Sequence, residues 1–192
     1  GPDIYLCEGD GIYTIDAGEF DSYLWNTGST NRTIKVSSPG SYSVTVTNTS
    51  GCSATDFVTV SVNELPRVNL GADIYMCQGD GVYTIDAGEF ASYLWNTGST
   101  NRTIEVSSPG TFSVTVINTS GCSATDFVTV SVNALPIVDL GPDIHMCQGD
   151  GVYAIDAGEF ASYLWNTGST NRTIEVSSPG SYSVTVTNTS GC

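Results

Sequence analysis

The chain has 192 residues, with 20 acidic side chains against five basic ones and a formal net charge of −15. So acidic a chain lacks the cationic footprint that nucleic acid or an anionic membrane surface requires. No apolar run approaches the roughly 18 residues needed to cross a bilayer, so membrane insertion is not expected. The sequence opens on Gly1 and carries no signal peptide, which reads as a mature product or an excised segment.

A period of 70 residues governs everything else. Cys7, Cys77 and Cys147 keep that spacing, as do Cys52, Cys122 and Cys192. The first two copies agree at 43 of 52 shared positions and the last two at 46. Self-similarity at a fixed period marks a tandem array whose folding module is the unit. The expected modules are residues 1–66, 67–136 and 137–192, the third lacking its last strand.

Within a copy the elements are short strands. Ile4–Cys7 is followed by the glycine turn Glu8-Gly9-Asp10-Gly11, where positive φ is needed. Ile12–Asp16 is a second strand, with Tyr13 and Ile15 expected to face inward. Tyr23–Trp25 stops at Asn26-Thr27-Gly28, and Thr33–Val36 stops at Ser38-Pro39-Gly40. Tyr42–Thr47 alternates strictly, with Tyr42, Val44 and Val46 on one face, the pattern of a half-buried antiparallel strand. After the turn at Asn48–Cys52, Ser53–Val62 returns as a long strand with Val58, Val60 and Val62 inward, and Pro66 breaks the ladder in the linker. No stretch has helical periodicity. About seven strands with regular turns predict an all-β sandwich in tandem.

Six cysteines, two per copy at a 45-residue separation and without CxxC pairs, point to an oxidising compartment rather than to zinc. Cys7, Cys52, Cys77, Cys122, Cys147 and Cys192 are all candidate disulfide partners. Repeat symmetry favours Cys7–Cys52, Cys77–Cys122 and Cys147–Cys192, each staple contributing roughly 4 kcal/mol in the chain-entropy model. Bridges between neighbouring copies are the alternative, because Cys7 and Cys52 could lie at opposite ends of a sandwich.

The elements D-I-Y-L-C, I-D-A-G, Y-L-W-N-T-G, S-P-G-S-Y-S-V-T-V-T-N and G-C resemble the PKD-type, immunoglobulin-like repeats of bacterial surface proteins. More narrowly, they are similar to repeats of large secreted adhesins and gliding-associated proteins exported by type IX secretion. The resemblance covers every copy and implies tandem immunoglobulin-like sandwiches, an extracellular or cell-surface location and no intrinsic catalysis. The chain departs from the pattern twice. Val44 and Val46 occupy the strand where the inter-sheet cysteine of true immunoglobulin domains would sit, and Trp25-Asn26-Thr27-Gly28 replaces the W-x-F-G-D-G turn of PKD domains.

Few residues suggest chemistry. His145 occurs in one copy of three, where the others have Tyr5 and Tyr75, so it cannot anchor a shared catalytic group. Recurrent carboxylates in turns are calcium candidates: Asp10, Asp16 and Glu19; Asp80, Asp86 and Glu89; Asp150, Asp156 and Glu159. Trp25, Trp95 and Trp165 could be sugar-stacking platforms but fit better as core residues. Asn31, Asn48, Asn101, Asn118, Asn171 and Asn188 each open an N-x-S/T sequon and are candidate glycosylation sites.

The function expected from this reading is structural and non-enzymatic: an extracellular stalk or filament whose partners are further repeats or other copies. Near-identity between copies favours equivalent joints over one distinctive site. An adhesin that contacts glycans or cells, or an accessory segment of a secreted hydrolase, is the alternative. Copies 1 and 2 follow their second cysteine with Ser-Ala-Thr-Asp-Phe-Val-Thr-Val-Ser-Val, whereas copy 3 ends at Cys192. A sandwich without that strand exposes an unpaired edge, so the polypeptide is expected to continue or another chain to supply the strand.

Overall fold

A computed structural model describes residues 1–192. The chain is all-β. Repeat 1 holds β1 (Ile4–Cys7), β2 (Tyr13–Asp16), β3 (Ser22–Trp25), β4 (Thr33–Val36), β5 (Gly40–Thr47) and β6 (Ser53–Asn63). Repeat 2 holds β7 (Ile74–Cys77), β8 (Tyr83–Asp86), β9 (Ser92–Trp95), β10 (Thr103–Val106), β11 (Gly110–Ile117) and β12 (Ser123–Asn133). Repeat 3 holds only β13 (Tyr153–Asp156), β14 (Ser162–Trp165), β15 (Thr173–Val176) and β16 (Val184–Thr187). Six strands per full repeat replace the seven expected.

One sheet of repeat 1 runs in the order β1-β6-β5-β3 and the other is the pair β2-β4. Repeat 2 has the same two sheets, in the orders β7-β12-β11-β9 and β10-β8. The arrangement β3-β5-β6 facing β2-β4 is the C-F-G and B-E layout of an immunoglobulin-like sandwich. The edge strand β1 pairs with β6 in parallel, in the register Ile4↔Val60 to Cys7↔Asn63. A side-chain acceptor just before the strand helps: the Asp3 carboxylate accepts from Thr59 N at 3.1 Å, and Asp73 accepts from Thr129 N at 3.0 Å in the next repeat.

Alternation decides which residues are inside. In repeat 1 the core is Trp25, Ile34, Val36, Val44, Val46 and Val60, with Ile4, Leu6, Ile15 and Tyr42 packed against it. In repeat 3 it is Ile155, Ala157, Trp165, Ile174, Val176 and Val186. Tyr13 shares the inward face with its pair partner Val36, as expected, but at the sheet margin it is left 43 % exposed. The turn after β3 needs a positive φ, which Gly28 supplies at 85°, letting its N–H bond Trp25 O at 2.9 Å.

Two tyrosines fasten the loops in repeats 1 and 3, and one in repeat 2. Tyr42 OH donates to Ser38 O at 3.0 Å, and Tyr182 OH to Ser178 O at the same distance. A tyrosine at the start of this strand, bonded back to the preceding corner, is an immunoglobulin-fold hallmark. Repeat 2 has Phe112 there and no such hydroxyl. Tyr23 OH accepts from Phe20 N and donates to Gly18 O, both at 2.8 Å.

By contacts the chain forms two compact units. One comprises Gly1–Leu70, Asp86–Ile104 and Ser113–Phe127; the other comprises Gly71–Ile85, Glu105–Phe112 and Val128–Cys192. Each unit therefore combines parts of more than one sequence repeat. No helix is long and apolar enough to cross a membrane.

Candidate functional site: the joint between repeats

The disulfides differ from the pairing that repeat symmetry favoured. Cys7 bonds Cys122, and Cys77 bonds Cys192, each across 115 residues with Cα atoms 5.6 Å apart. Cys52 and Cys147 are free and exposed. The parallel β1–β6 pairing is the reason. Cys7 stands opposite Asn63, at the far end of the strand that begins beside Cys52. Eleven residues of extended chain span about 36 Å, several times the 4.4–6.8 Å or so that a disulfide bridges between Cα atoms. A staple within repeat 1 is thus ruled out by register, and the pairing between neighbouring repeats holds.

Each joint has the same construction. In the first unit Cys122 is almost fully buried, its Sγ 3.9 Å from Asn63 O. Asn118 Oδ1 accepts from Ser120 N and Cys122 N, both at 3.0 Å, shaping the turn that presents the sulfur. Its Nδ2 donates to Glu64 O in the linker at 3.0 Å. A further linker contact runs from Leu70 N to Asp126 Oδ2 at 2.8 Å. In the second unit Asn188 accepts from Ser190 N and Cys192 N and donates to Ala134 O at 2.9 Å. On the other side of the bond, Asp10 accepts from Cys7 N at 2.7 Å and Asp80 from Cys77 N at 2.6 Å, holding the first cysteine's turn.

This division of labour reassigns most candidate residues. Asp10, Asp80 and Asp150 are turn-forming acceptors for Cys7, Cys77 and Cys147 N–H. Asp16, Asp86 and Asp156 instead clamp an arginine: Arg32 Nε and Nη2 reach Asp16 at 2.7 and 2.9 Å, and Nη1 reaches Glu19 at 3.2 Å. Arg102 repeats this with Asp86 and Glu89, and Arg172 with Asp156 and Glu159. The arginine hydrogen bonds first, and the Gly18, Gly88 and Gly158 N–H groups second, hold these aspartates below the usual carboxylate range. No three metal-ligating side chains come together. A guanidinium thus occupies the place a cation would take beside Asp16 and Glu19, Asp86 and Glu89, and Asp156 and Glu159.

The tryptophans are 2–3 % exposed, with no face for a sugar. Each indole N–H donates at 2.8 Å to the carbonyl of Asn31, Asn101 or Asn171. The sequons divide into two sets. Asn31, Asn101 and Asn171 are exposed and use only backbone groups in these bonds, and Asn48 is exposed with only its Oδ1 engaged, whereas Asn118 and Asn188 spend their side-chain amides on the joint. His145 is exposed, outside any strand.

Two grooves lie within single repeats. In repeat 1 a cleft of about 820 Å³ runs beside β1 and β6, lined by Tyr13, Phe20, Tyr42 and Phe57 with Asp16 and Asp56. In repeat 3 a groove of about 880 Å³ lies between Ile144, Met146, Ile155 and Tyr182. There the segment 144–147 has no strand partner, and Ile144 and Met146 are both 37 % exposed. The reliance of the joint on strand register was not visible in the sequence. The one available signal was Asn-x-x-x-Cys recurring before each second cysteine.

No protein-family model matches the sequence, and no curated protein matches it. Among solved structures, similarity extends to a three-domain immunoglobulin segment of titin, at 14 % identity and a TM-score of 0.40, covering 97 % of this chain and 82 % of that one. The first two immunoglobulin domains of DIP-gamma match at 12 % identity and a TM-score of 0.34, over 69 % of this chain and 94 % of theirs. The SGBP-B protein of the Bacteroides ovatus mixed-linkage glucan utilization locus, solved with a mixed-linkage heptasaccharide, matches at 14 % identity and 0.25, over 98 % and 60 %. At such scores the assignment to tandem immunoglobulin-like sandwiches rests on the strand order within the repeats.

Proposed function

We propose that this chain is part of an extracellular structural array, a surface stalk or filament of PKD-type immunoglobulin-like repeats carried by a bacterial secreted protein. Its repeats are residues 1–66, 67–136 and 137–192, and its partners are further repeats or other copies. The observation that carries this reading is the disulfide from one repeat to the next, made twice with the same partners. A staple inside one domain stabilises that domain, whereas a staple to the neighbour fixes a joint. An enzyme or single-site binder gains nothing from equivalent joints; a tension-bearing rod does. Disulfides of this kind suit an oxidising, extracellular setting. No catalytic residue is assigned, and Asn31, Asn48, Asn101 and Asn171 are the exposed sequons available to glycans.

Electron microscopy of native surface material, with and without reductant, tests this. Ordered rods that loosen into flexible strings on reduction are expected; compact particles unaffected by reductant would overturn the reading. A second reading, glycan-contacting adhesin repeats, is favoured by the aromatic and acidic cleft of repeat 1. Glycan-array binding abolished by Tyr13→Ala and Phe57→Ala would support it.

A further inference from the structure

We propose that the two disulfides make the linkers between repeats covalently redundant: tension divides between two routes, and a single proteolytic nick neither parts nor unfolds the chain. This rests on the array reading and gives it a load path. The bonds Cys7–Cys122 and Cys77–Cys192 interleave. One closes a loop over residues 7–122 and the other over 77–192, so the stretch 77–122 belongs to both. Every peptide bond between Cys7 and Cys192 therefore lies inside at least one covalent loop, and cutting it leaves the two sides joined. Two routes lead from Cys7 to Cys192. One follows the peptide to Cys77 and crosses the second bond; the other crosses the first bond to Cys122 and follows the peptide onward. Each contains one 70-residue period of peptide, so neither goes slack before the other. Staples within repeats would instead leave residues 52–77 and 122–147 as single strands.

The first linker is where this matters most. Residues 64–70 form no strand, Leu65 is 41 % exposed and Arg67 is exposed. Exposed connecting segments of this kind are preferred sites of proteolytic nicking. The two ends of the linker are held separately. Glu64 O accepts from Asn118 Nδ2 at 3.0 Å, and Leu70 N donates to Asp126 Oδ2 at 2.8 Å. Hydrolysis after Arg67 adds one water, giving a carboxylate on Arg67 and an amine on Val68. The first side then stays fixed by Asn118 and the Cys7–Cys122 bond, the second by Asp126. The other basic residues of the three repeats are guarded: Arg32, Arg102 and Arg172 are clamped by carboxylates, and Lys35 lies within β4.

The test is a single trypsin nick in the full chain, with Cys52 and Cys147 first alkylated by iodoacetamide. Denaturing gels should show one species near 20.1 kDa without reductant, and the fragments 1–67 and 68–192 with it. The nicked chain should keep the sedimentation coefficient of the intact one. Held by its two termini in a force instrument, it should bear load until reductant is added. A thrombin site replacing residues 65–68 makes an equivalent cut if Arg67 resists trypsin. The variant carrying both Cys7→Ser and Cys122→Ser should part at this nick without reductant; one persisting species there would overturn the proposal. A nicked wild-type chain that stays linked but sediments more slowly has unfolded, which sinks the proposal and leaves the array reading standing. Fragments of wild type that separate without reductant mean that no bond joins the repeats, which overturns the array reading as well.

Discussion

Repeats 1 and 3 share 45 of 52 residues across their common length, yet they do not form the same strands. In repeat 1 the first segment is the strand β1 and β5 runs for eight residues; in repeat 3 the corresponding segment 144–147 is unpaired and β16 has four. Val44 is buried where Val184 is half-buried, and Leu6 is half-buried where Met146 is exposed. Five of the seven substitutions (Met146, Gln148, Val152, Ala161 and Glu175) recur in repeat 2 as Met76, Gln78, Val82, Ala91 and Glu105, and that repeat still forms the strand, so they do not account for this. What differs is β6, which lies between β1 and β5 and bonds both. A parallel edge strand cannot form against nothing, because its amides prefer water to an unpaired edge. The comparison shows that β1 is specified by a segment some 50 residues downstream and only weakly by its own sequence.

The most direct way to break the comparison is to append the sequence of Ser123–Asn133 after Cys192. Ile144, Met146 and Val184 should then become buried, each contributing about 1.5–3 kcal/mol. Amide hydrogen exchange should slow at residues 144–147 and 180–183 until they match their counterparts in repeat 1. Unchanged exchange would show that repeat 3 differs for a reason of its own.

The joints come next in size. Replacing Cys7 and Cys122 by Ser should destabilise the first unit by about 5 kcal/mol on the chain-entropy account of a loop this long. Denaturant unfolding, with a tryptophan signal assigned through single Trp→Phe variants, should show Trp25 moving to lower denaturant while Trp165 stays in place. Trp25→Ala should cost about 3–5 kcal/mol, as for other buried aromatic truncations. A loss near zero would place the ring at the surface.

Repeat 2 sharpens the comparison on a smaller scale, since Phe112 already lacks the hydroxyl of Tyr42 and Tyr182. Tyr42→Phe should lose about 1 kcal/mol with the bond to Ser38 O, and Phe112→Tyr should gain a similar amount. The smallest effect is common to all three repeats. Asp16, Asp86 and Asp156 are held below the ordinary carboxylate range, so their folded-state pKa lies under the unfolded value. Their contribution is complete above the unfolded pKa near 4 and is lost as pH falls through the folded one. Carboxyl chemical shifts should titrate together at low pH in all three repeats. Midpoints at or above 4 would show that the arginine clamps do not form in solution.

Much of the fold was legible from residue order. The alternation at Tyr42–Thr47 places Val44 and Val46 inside without reference to anything distant, because a pleated strand has a period of two. Gly28 and Pro39 mark turns by their own φ preferences, and Trp25 is core because little else in the repeat can fill that volume. The exposure of Tyr13 was not legible, because alternation says which face a residue is on but not whether the opposing sheet reaches it, and the two-stranded sheet leaves that margin open.

The sequence by itself determined the repeat, the all-β class, the positions of the strands after the first segment and the acidic composition, since each follows from local stereochemistry or composition. Tertiary structure alone decided the disulfide pairing, the fate of the clustered carboxylates and whether the first segment is a strand. All three depend on which segments become neighbours. Cys7 and Cys52 are 45 residues apart in the chain, but the parallel register of β1 on β6 sets them a full strand length apart and brings Cys122 to Cys7 instead. Asp16 and Glu19 meet Arg32 only because β2 pairs with β4, and that pairing turns a plausible cation site into a clamp.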